Sequence, residues 1–273
     1  MADTSCDSHR LPFWRQVFSS IDAMLFPRRC VACRTLFDAC GRRDGVVGSD
    51  DGGLDGLASY LCPGCFDGCR PIASPMCSQC GRIYTSRVVV DHVCGDCIRT
   101  PKPFGKARAW GAHEGALLRV IRNFKYHHQP FLARPLGILL FGAFLKHWRS
   151  NEIDRVIPVP LHPKRLRQRG FNQSRLLIHH WPRGDDGATV IRPTSDWLIR
   201  TRRTRSQTGL RRKERQANMR GAFALQGRPP LASKHVLLVD DVYTTGATVA
   251  ECARVLLAGG ARRVDVLTLA RAM

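Results

Sequence analysis

Buried strands and amphipathic helices alternate along the second half of the chain. A helical period of apolar residues from Leu117 to Trp148 is followed by the apolar run RVIPVPLH, which predicts a short buried strand ending at His162. The later runs HVLLVDDV and RVDVLTLAR also predict strands. One further helix and two further strands are predicted from SRLLIHHW, WLIRTR and GAFAL. Alternation of this kind predicts an α/β fold with a mostly parallel sheet.

One predicted strand runs through two carboxylates into a turn of small residues. The aliphatic run VLLV ends at Asp240 and Asp241, and the turn TTGAT then leads into a helix with apolar spacing from Val249. In an open parallel sheet, ligands bind outside the carboxyl ends of the strands, and the free N–H groups of a helix N-terminus bind anions. A phosphate therefore fits the turn. The paired aspartates require a ligand that also carries hydroxyl groups or a metal ion, and a sugar phosphate meets both conditions.

The turn supplies hydroxyl groups, backbone N–H groups and, at Gly246, a position where a ligand can approach the backbone closely. The chain contains neither GxxxxGK(S/T) nor GxGxxG, so the common nucleotide-binding loops are excluded. A threonine that merely caps the helix is the alternative, but capping explains one threonine and neither aspartate. The predicted phosphate-binding residues are Thr244, Thr245, Gly246, Ala247 and Thr248.

Ten of the twelve cysteines lie between Cys30 and Cys97. Eight of them form the Cys-x-x-Cys pairs Cys30/Cys33, Cys62/Cys65, Cys77/Cys80 and Cys94/Cys97. Two such pairs place four thiolates at about 2.3 Å from one ion and complete a tetrahedral zinc site. The third and fourth pairs have nearly the usual zinc-ribbon separation, whereas a Gly/Asp-rich loop from Asp38 to Gly56 separates the first and second. Two structural zinc sites are therefore predicted, and a redox role for one pair is the alternative.

The cysteine-rich segment and the α/β segment meet around RTPKPFG, so we expect a double zinc ribbon over residues 28–103 and the α/β domain over residues 104–273. Residues 1–27 carry apolar residues at helical spacing and predict an amphipathic helix packed on the protein, with binding to a membrane surface as the alternative. No run reaches the roughly 18 apolar residues that span a bilayer. Because nothing in the sequence suggests export, we expect a cytoplasmic protein with reduced cysteines.

The chain is strongly basic. Lys and Arg total 43 against 22 Asp and Glu, which gives a formal net charge of +21. Such a charge predicts attraction to nucleic acid, phosphorylated ligands or an acidic membrane face, and does not choose among them. Two segments are especially basic: PLHPKRLRQRGFNQS and RTRRTRSQTGLRRKERQAN. Cationic loops of this kind suit a departing pyrophosphate or a nucleic-acid backbone, and a solvated charged face is the alternative.

The motif VLLVDDVYTTGAT resembles the phosphoribosyl-pyrophosphate binding motif of the phosphoribosyltransferase family. More narrowly, the four cysteine pairs, VPLHPKRLRQRGFNQS, RTRSQTGLRRKERQANMRGAF and the terminal TLAR resemble the ComF family, competence protein F, which is linked to DNA uptake in natural transformation. The resemblance covers roughly Cys30 to Arg271, and His128 stands where the family usually has glycine. It implies a type I phosphoribosyltransferase fold, with a mostly parallel sheet, plus a small N-terminal zinc-ribbon module.

The resemblance also implies roles for individual residues. Asp240 and Asp241 would contact the ribose hydroxyls of phosphoribosyl pyrophosphate bound with Mg²⁺, and residues 244–248 would hold its 5′-phosphate. Residues 160–169 would form the pyrophosphate loop, and residues 204–218 a flexible loop that closes over the substrate. The candidates for stabilising the departing pyrophosphate are Arg165, Arg169 and Arg215.

Two functions from different classes remain open at this stage. The first is a phosphoribosyltransferase in which pyrophosphate leaves through an oxocarbenium-like state and a nitrogen nucleophile captures the ribose. The second is a nucleic-acid binding module that keeps the fold without turnover, with single-stranded DNA and other DNA-uptake proteins as expected partners. Its candidate DNA-binding residues are Arg202, Arg203, Arg211 and Arg212. Phe171, Trp181 and Trp197 would stack on bases if they were exposed.

Overall fold

The computed structural model describes residues 28–37, 54–84, 90–126, 129–181, 193–194, 196–204 and 212–272. Its helices are α1 (Pro63–Asp67), α2 (Gly95–Arg99), α3 (Gly115–Tyr126), α4 (Ala133–His147), α5 (Pro163–Arg169), α6 (Gln173–His179), α7 (Arg212–Met219) and α8 (Ala247–Ala258). Its strands are β1 (Ala107–Ala112), β2 (Arg155–Pro158), β3 (Leu198–Arg200), β4 (Phe223–Leu225), β5 (His235–Tyr243) and β6 (Arg263–Arg271). The helix predicted over residues 1–27 and most of the Gly/Asp-rich loop lie outside the described residues.

The central sheet has the strand order β1-β6-β5-β2, and each neighbouring pair is parallel. β5 lies in the interior between β6 and β2, and Asp240 is opposite Thr268 of β6. The last residue of β2, Pro158, pairs with Val239, so Asp240 lies just beyond the end of that strand. β3 and β4 form a separate antiparallel pair. The mostly parallel α/β sheet predicted from the sequence is confirmed.

Two element boundaries differ from the sequence expectation. The strand expected to end at His162 ends at Pro158. Val159 still donates its N–H to the Val239 carbonyl at 2.8 Å, but Pro160 has no N–H with which to continue the ladder. The helical segment expected from Leu117 onward consists of two helices, α3 and α4, with a 3₁₀ turn between them. None of the described helices has the length and apolar character needed to cross a membrane.

Two separate cores cover the two faces of the sheet. Leu237 and Val239 of β5 lie in the first core together with residues of α3, α4 and α6. Val236 and Leu238 lie in the second core together with residues of α8, β3 and β4. Successive side chains of a strand point to opposite faces, which assigns alternate residues to alternate cores. Because both faces of the sheet are covered, the sequence of β5 is a continuous apolar run. That run made the strand predictable from the sequence.

Each group of cysteines packs against one face of this sheet. Cys30 and Cys65 belong to the first core, where they lie with Leu117 and Val120 of α3. The other group, Cys77, Cys80, Cys94 and Cys97, belongs to the second core. The cysteine-rich segment is therefore continuous with the interior of the α/β domain on both sides.

A buried carboxylate ties the amino end of β6 to its surroundings. Asp265 accepts hydrogen bonds from Trp148 Nε1 at 2.8 Å, Lys106 N at 2.9 Å and Arg263 Nε at 3.1 Å, and His235 Nε2 lies 3.0 Å from it. Burial raises the pKa of Asp265, but the hydrogen bonds outweigh burial and leave the pKa well below its usual range. This network fixes the amino ends of the strands, and the opposite edge carries the candidate site.

Candidate functional site

The turn between β5 and α8 lies at the carboxyl edge of the sheet. Gly246 has φ +75°, a left-handed conformation that favours glycine, and it is the N-cap of α8. Its carbonyl accepts the N–H of Ala250 at 2.8 Å, so the N–H groups before Ala250 lie at the open end of the helix. Thr245 Oγ1 makes only a long contact of 3.4 Å with Ala247 N. The turn therefore has the anion-binding geometry of a helix N-terminus, and capping by a threonine is weak.

Asp240 lies in β5, four residues before Thr244, and is partly buried. Its Oδ1 accepts hydrogen bonds from Ser174 Oγ at 3.0 Å and from the N–H of Asp241 at 2.9 Å. Burial and the adjacent Asp241 carboxylate raise the pKa of Asp240 to about 7, and the Lys125 ammonium partly opposes them. Asp240 therefore changes its protonation state in the neutral range.

Asp241 is buried, with a relative exposure of 5%. Its Oδ1 forms an ion pair of 2.7 Å with Lys125 Nζ at the end of α3. Its other oxygen, Oδ2, is buried and has no hydrogen-bond partner among the described residues. A buried carboxylate oxygen without a donor is costly, and it marks a position where a bound hydroxyl group or cation would be stabilised.

The first basic segment forms α5, which begins just after β2 at the same edge of the sheet. His162 Nδ1 accepts the N–H of Lys164 at 3.2 Å and caps the helix, and Gly170 ends it with φ +80°. Asn172 donates to the Val159 carbonyl at 3.1 Å and caps α6 through Ser174 N at 3.0 Å. The loop is thereby fixed to the end of β2, next to Asp240 on β5.

The two arginines predicted on α5 are both half-buried. Arg169 donates to Gln173 Oε1 at 2.6 Å, and its guanidinium lies 5.1 Å from the ring centre of Tyr126. Tyr126 has a relative exposure of 65%, and it follows Lys125, the partner of Asp241, in the sequence. An exposed aromatic ring and a cation therefore stand together, and the ring is on the residue next to the lysine that pairs with Asp241.

A buried arginine joins this cationic edge from β3. Arg200 has a relative exposure of 7%, packs 5.4 Å from the ring of Phe223, and has no hydrogen-bond partner for its buried Nε among the described residues. Burial and the charge of Arg165 lower its pKa, and the charge of Asp240 is among the groups that raise it. Arg200 thus connects the carboxylates of β5 electrostatically with α5.

The structure tests only part of the predicted arginine loop. Arg202 donates to the Asn218 and Arg220 carbonyls, each at 2.9 Å, and so caps the end of α7. Arg203 is exposed. Arg211 and the side chain of Arg212 lie outside the described residues. Arg215 is half-buried on α7, which packs against α8.

The three aromatic residues considered for base stacking take part in the packing of the protein. Trp181 is buried and donates to the Gly137 carbonyl at 3.1 Å. Phe171 packs against the first core and Trp197 against the second. Among the described aromatic residues, Tyr126 and Phe131 are the strongly exposed ones.

The eight paired cysteines form two clusters that fit a tetrahedral metal ion. In the first cluster (Cys30, Cys33, Cys62 and Cys65) and in the second (Cys77, Cys80, Cys94 and Cys97), the sulfur atoms all lie within 4.8 Å of one another. The Sγ atoms of Cys33 and Cys62 are 3.6 Å apart, and those of Cys80 and Cys94 are 3.8 Å apart. Sulfurs bound at about 2.3 Å in a tetrahedron are about 3.8 Å apart, so both clusters suit zinc.

Backbone donors favour the thiolate form of one cysteine in the second cluster, Cys77, whereas burial raises the pKa of Cys80 and of Cys97. The N–H groups of Cys80 and Cys94 point to Cys77 Sγ at 3.4 and 3.3 Å. Although burial raises its pKa, these donors lower the pKa of Cys77 to about 6. In the first cluster, the Thr35 side chain lowers the pKa of Cys33 to about 6. Deprotonated thiols are the form that binds metal.

Curated relatives match most of the length of this chain. The chain is 30% identical over 251 residues to competence protein F of Haemophilus influenzae, covering 90% of this chain and 98% of the relative. It is 35% identical over 202 residues to the DNA utilization protein YhgH of Escherichia coli O6:H1, covering 72% and 85%. The chain belongs to the competence protein F family. No protein-family model matches the chain.

Two solved structures that resemble the competence protein F chain are a hypoxanthine phosphoribosyltransferase from Staphylococcus aureus and a phosphoribosylpyrophosphate synthetase from Mycobacterium smegmatis. Their identities are 15% and 18%, each with a TM-score of 0.27. They cover 53% and 50% of this chain, and the match spans 64% and 33% of their own lengths.

Sequence reasoning missed two residues that contact the carboxylates and a third that interacts with one of them through its charge. Lys125 pairs with Asp241, Ser174 donates to Asp240, and the charge of Asp240 acts on the buried Arg200. Ser174 and Arg200 lay within segments already noted as basic or family-like, without a role of their own. Lys125 lies far from β5 in the sequence, and only the packing of α3 against the sheet brings it to Asp241.

Proposed function

We propose that this competence protein F family member binds phosphoribosyl pyrophosphate with Mg²⁺ at the carboxyl end of β5 and transfers the phosphoribosyl group to an acceptor. The buried Oδ2 of Asp241, which has no hydrogen-bond partner among the described residues and lies five residues before Gly246, the N-cap of α8, carries the proposal. A ligand with adjacent hydroxyl groups and a phosphate satisfies the carboxylate pair and the turn at once. Carboxylate oxygens are also the donors that Mg²⁺ prefers.

In the proposed reaction, the bond between ribose C1 and pyrophosphate breaks, and pyrophosphate leaves with the bonding electrons. A nitrogen of the acceptor forms the new bond to C1 and releases its proton. Asp240 and Asp241 accept hydrogen bonds from the ribose hydroxyls and stabilise the positive charge that develops on the ring. Arg165, Arg169 and Arg215 stabilise the departing pyrophosphate, whose charge bound Mg²⁺ partly neutralises.

The ligand-binding part of the proposal is tested by calorimetric titration with phosphoribosyl pyrophosphate and Mg²⁺. We expect the wild type to bind and the double variant Asp240→Asn, Asp241→Asn to bind at least about tenfold more weakly, since amides accept less strongly and carry no charge. The matched control is Asp154→Asn, which changes a carboxylate that directly precedes β2, at the amino end of the strand, and pairs with Lys234. Equal affinity of wild type and double variant would contradict the site.

A second function, binding of single-stranded DNA, is favoured by Tyr126 and Arg169. The exposed ring with a guanidinium 5.1 Å away matches the stacking platforms of single-strand binding proteins, and the exposed Lys164 and Arg167 of α5 lie on the same helix as Arg169. The net charge of +21 supplies the electrostatic attraction. The names of the relatives indicate a role in competence and DNA utilization for those proteins. We propose such a role for this chain, with phosphoribosyl pyrophosphate and single-stranded DNA as its two ligands.

The DNA proposal is tested by fluorescence anisotropy with a labelled single-stranded oligonucleotide over a salt series. Tyr126→Ala should weaken binding by about tenfold, because one stacked base contributes about 1 to 3 kcal/mol. Phe131→Ala removes a second exposed ring, which stacks on Tyr60, and should have little effect. Neutralising Arg202, Arg203, Arg211 and Arg212 together should flatten the salt dependence. Equal losses for the two aromatic variants would contradict the platform.

We assign structural zinc to both cysteine clusters in this proposal, and we place the protein in the cytoplasm, where thiols stay reduced. Four thiolates complete each metal shell and leave no coordination position for substrate. Zinc therefore holds the cysteine-rich segment against the sheet, and the reacting groups belong to the carboxyl edge.

A further inference from the structure

The second cysteine cluster contacts the carboxyl edge of the sheet through one buried arginine. Arg271, the last residue of β6, has a relative exposure of 7%, and its Nη2 lies 3.4 Å from Cys80 Sγ. Its guanidinium also lies 4.4 Å from the ring centre of Tyr243. Arg271 and Tyr243 are opposite each other in the register of β5 and β6. One side chain therefore touches both a metal-ligand sulfur and the residue that ends β5.

Tyr243 packs against the phosphate turn, which is the turn of residues 244–248 at which we propose that a phosphate binds. A Cβ atom added to Gly246 would collide with the Tyr243 hydroxyl and ring, so this ring packs tightly against the N-cap of α8. Phe104 of the same core lies edge-on to the Tyr243 ring, with ring centres 6.4 Å apart, and fixes it from the side. A displacement of Tyr243 would therefore move the backbone that presents the N–H groups to an anion.

Arg271 has unused hydrogen-bonding capacity. Its Nε and Nη1 atoms are buried and have no hydrogen-bond partner among the described residues. A buried guanidinium needs a nearby negative charge. Four thiolates with one zinc ion carry a net charge of about −2, which compensates Arg271 from one side. On its other side, Arg271 contacts Tyr243, which packs against the turn at which we propose that a phosphate binds.

The first cluster has no such connection within the described residues. Its neighbours lie on the other face of the sheet: Asn123 of α3 donates to the Val31 carbonyl, and the N–H of Val31 bonds to the Tyr60 carbonyl at 2.9 Å. Cys33 is exposed, whereas all four cysteines of the second cluster are buried. Within the described residues, side-chain contacts therefore link the second cluster, and not the first, to residues 243–248.

We propose that Arg271 is a positioning residue that fastens the second cysteine cluster to the phosphate turn, so that zinc in this cluster, and not in the first, controls how tightly a sugar phosphate binds. This inference rests on the proposed function, because it concerns the same turn. It assigns the second cluster a part in ligand binding in addition to folding. The chain of contacts is Cys80, Arg271, Tyr243 and Gly246.

The test measures zinc content and calorimetric affinity for ribose 5-phosphate on the same preparations of the full chain. Arg271→Gln should keep two zinc ions and bind at least about tenfold more weakly, since it loses the charge and the fork of donors. Arg271→Lys should be intermediate, because it keeps the charge alone. Arg254→Gln, an exposed arginine of α8 paired with Glu251, should match the wild type.

The clusters are then compared directly. Cys33→Ser should lose one zinc ion and keep its affinity within about twofold, while Cys94→Ser should lose one zinc ion together with sugar-phosphate binding. If Cys94→Ser fails to fold, Arg271→Gln with unchanged zinc and circular dichroism decides the question. Wild-type affinity in Arg271→Gln would overturn the inference. Absence of binding of phosphoribosyl pyrophosphate with Mg²⁺ in the wild type itself would instead overturn the proposed function.

Discussion

Lys125 compensates the charge of a buried carboxylate, and this pair makes the sharpest prediction at the scale of single residues. The side chains of Lys125 and Asp241 are 16% and 7% exposed, and they are 2.7 Å apart. Lys125→Met leaves Asp241 buried and unpaired, which should reduce the free energy of unfolding by about 3 kcal/mol. Lys125→Met combined with Asp241→Asn should recover part of that loss. Urea denaturation of the three proteins measures both, and a single variant as stable as the wild type would contradict the pairing.

Asp240 predicts a pH dependence with a definite sign. Its pKa of about 7 in the folded protein exceeds the value near 4 of an unfolded aspartate, so the folded state binds the proton more tightly. Stability from this group is therefore full below about pH 4 and falls as the pH rises through about 7. Asp240→Asn should gain stability relative to the wild type by about 1 kcal/mol between pH 6 and pH 8.

The measurement is urea denaturation of both proteins at pH 6 and pH 8, a range in which zinc stays bound. The charged groups around Asp240 that set its pKa are Asp241 and Lys125, so both must be unchanged in the comparison. A stability difference between variant and wild type that is the same at both pH values would show that Asp240 titrates elsewhere.

Individual residues were predictable where the local sequence determines their position. Asp240 and Asp241 lie in a strand that its own composition predicted, and residues 244–248 follow that strand, so their place at the carboxyl edge could be stated in advance. Lys125 and Arg271 could not be placed, because their partners lie on other elements and only packing brings them together. Tyr126 was missed because exposure of an aromatic residue has no local sequence signal.

At the scale of elements, the amino end of the sheet depends on Asp265. It accepts hydrogen bonds from Trp148, Lys106 and Arg263 and is fully buried, so Asp265→Asn should lower the free energy of unfolding by about 3 kcal/mol. Because its pKa is lowered, its contribution is present above about pH 4 and is lost as the pH falls below that value. The comparison is thermal or urea denaturation at pH 7.5.

Asp154→Asn is the matched control for that prediction. Asp154 also accepts a hydrogen bond from His235, through the backbone N–H at 2.8 Å, but its ion pair with Lys234 is about a third exposed. Asp154→Asn should lower the free energy of unfolding by about 1 kcal/mol or less, as is usual for the loss of an exposed ion pair. Equal costs for Asp265→Asn and Asp154→Asn would contradict the central role of the buried network.

The order of the helices and strands could be predicted from the periodicity of apolar residues, but the residues at which these elements end could not. β2 ends at Pro158 because of the missing N–H of Pro160, and two helices replace the single helical period because Pro130 begins a 3₁₀ turn. The pairing of the cysteines into two groups was also predictable, since Cys-x-x-Cys spacing is local. Their packing on opposite faces of the sheet was not, because it depends on the path of the intervening chain.

At the scale of the whole molecule, the two clusters predict two zinc ions per chain. Metal analysis by mass spectrometry should give two for the wild type and one for either Cys33→Ser or Cys77→Ser. One ion or fewer in the folded wild type would contradict the two-site interpretation. The division into residues 28–103 and 104–273 is a separate prediction, which limited proteolysis of the zinc-loaded chain can address.

The central claim is that the carboxyl edge of β5 binds phosphoribosyl pyrophosphate and its metal. The most direct measurement is a crystal structure grown with phosphoribosyl pyrophosphate and Mn²⁺ in place of Mg²⁺, with anomalous scattering to locate the ions. We expect the 5′-phosphate on the N–H groups of residues 244–248, the ribose hydroxyls at Asp240 and Asp241, and manganese between the ribose and the pyrophosphate. Ligand density confined to the arginines of α5, or manganese away from this edge, would contradict the account.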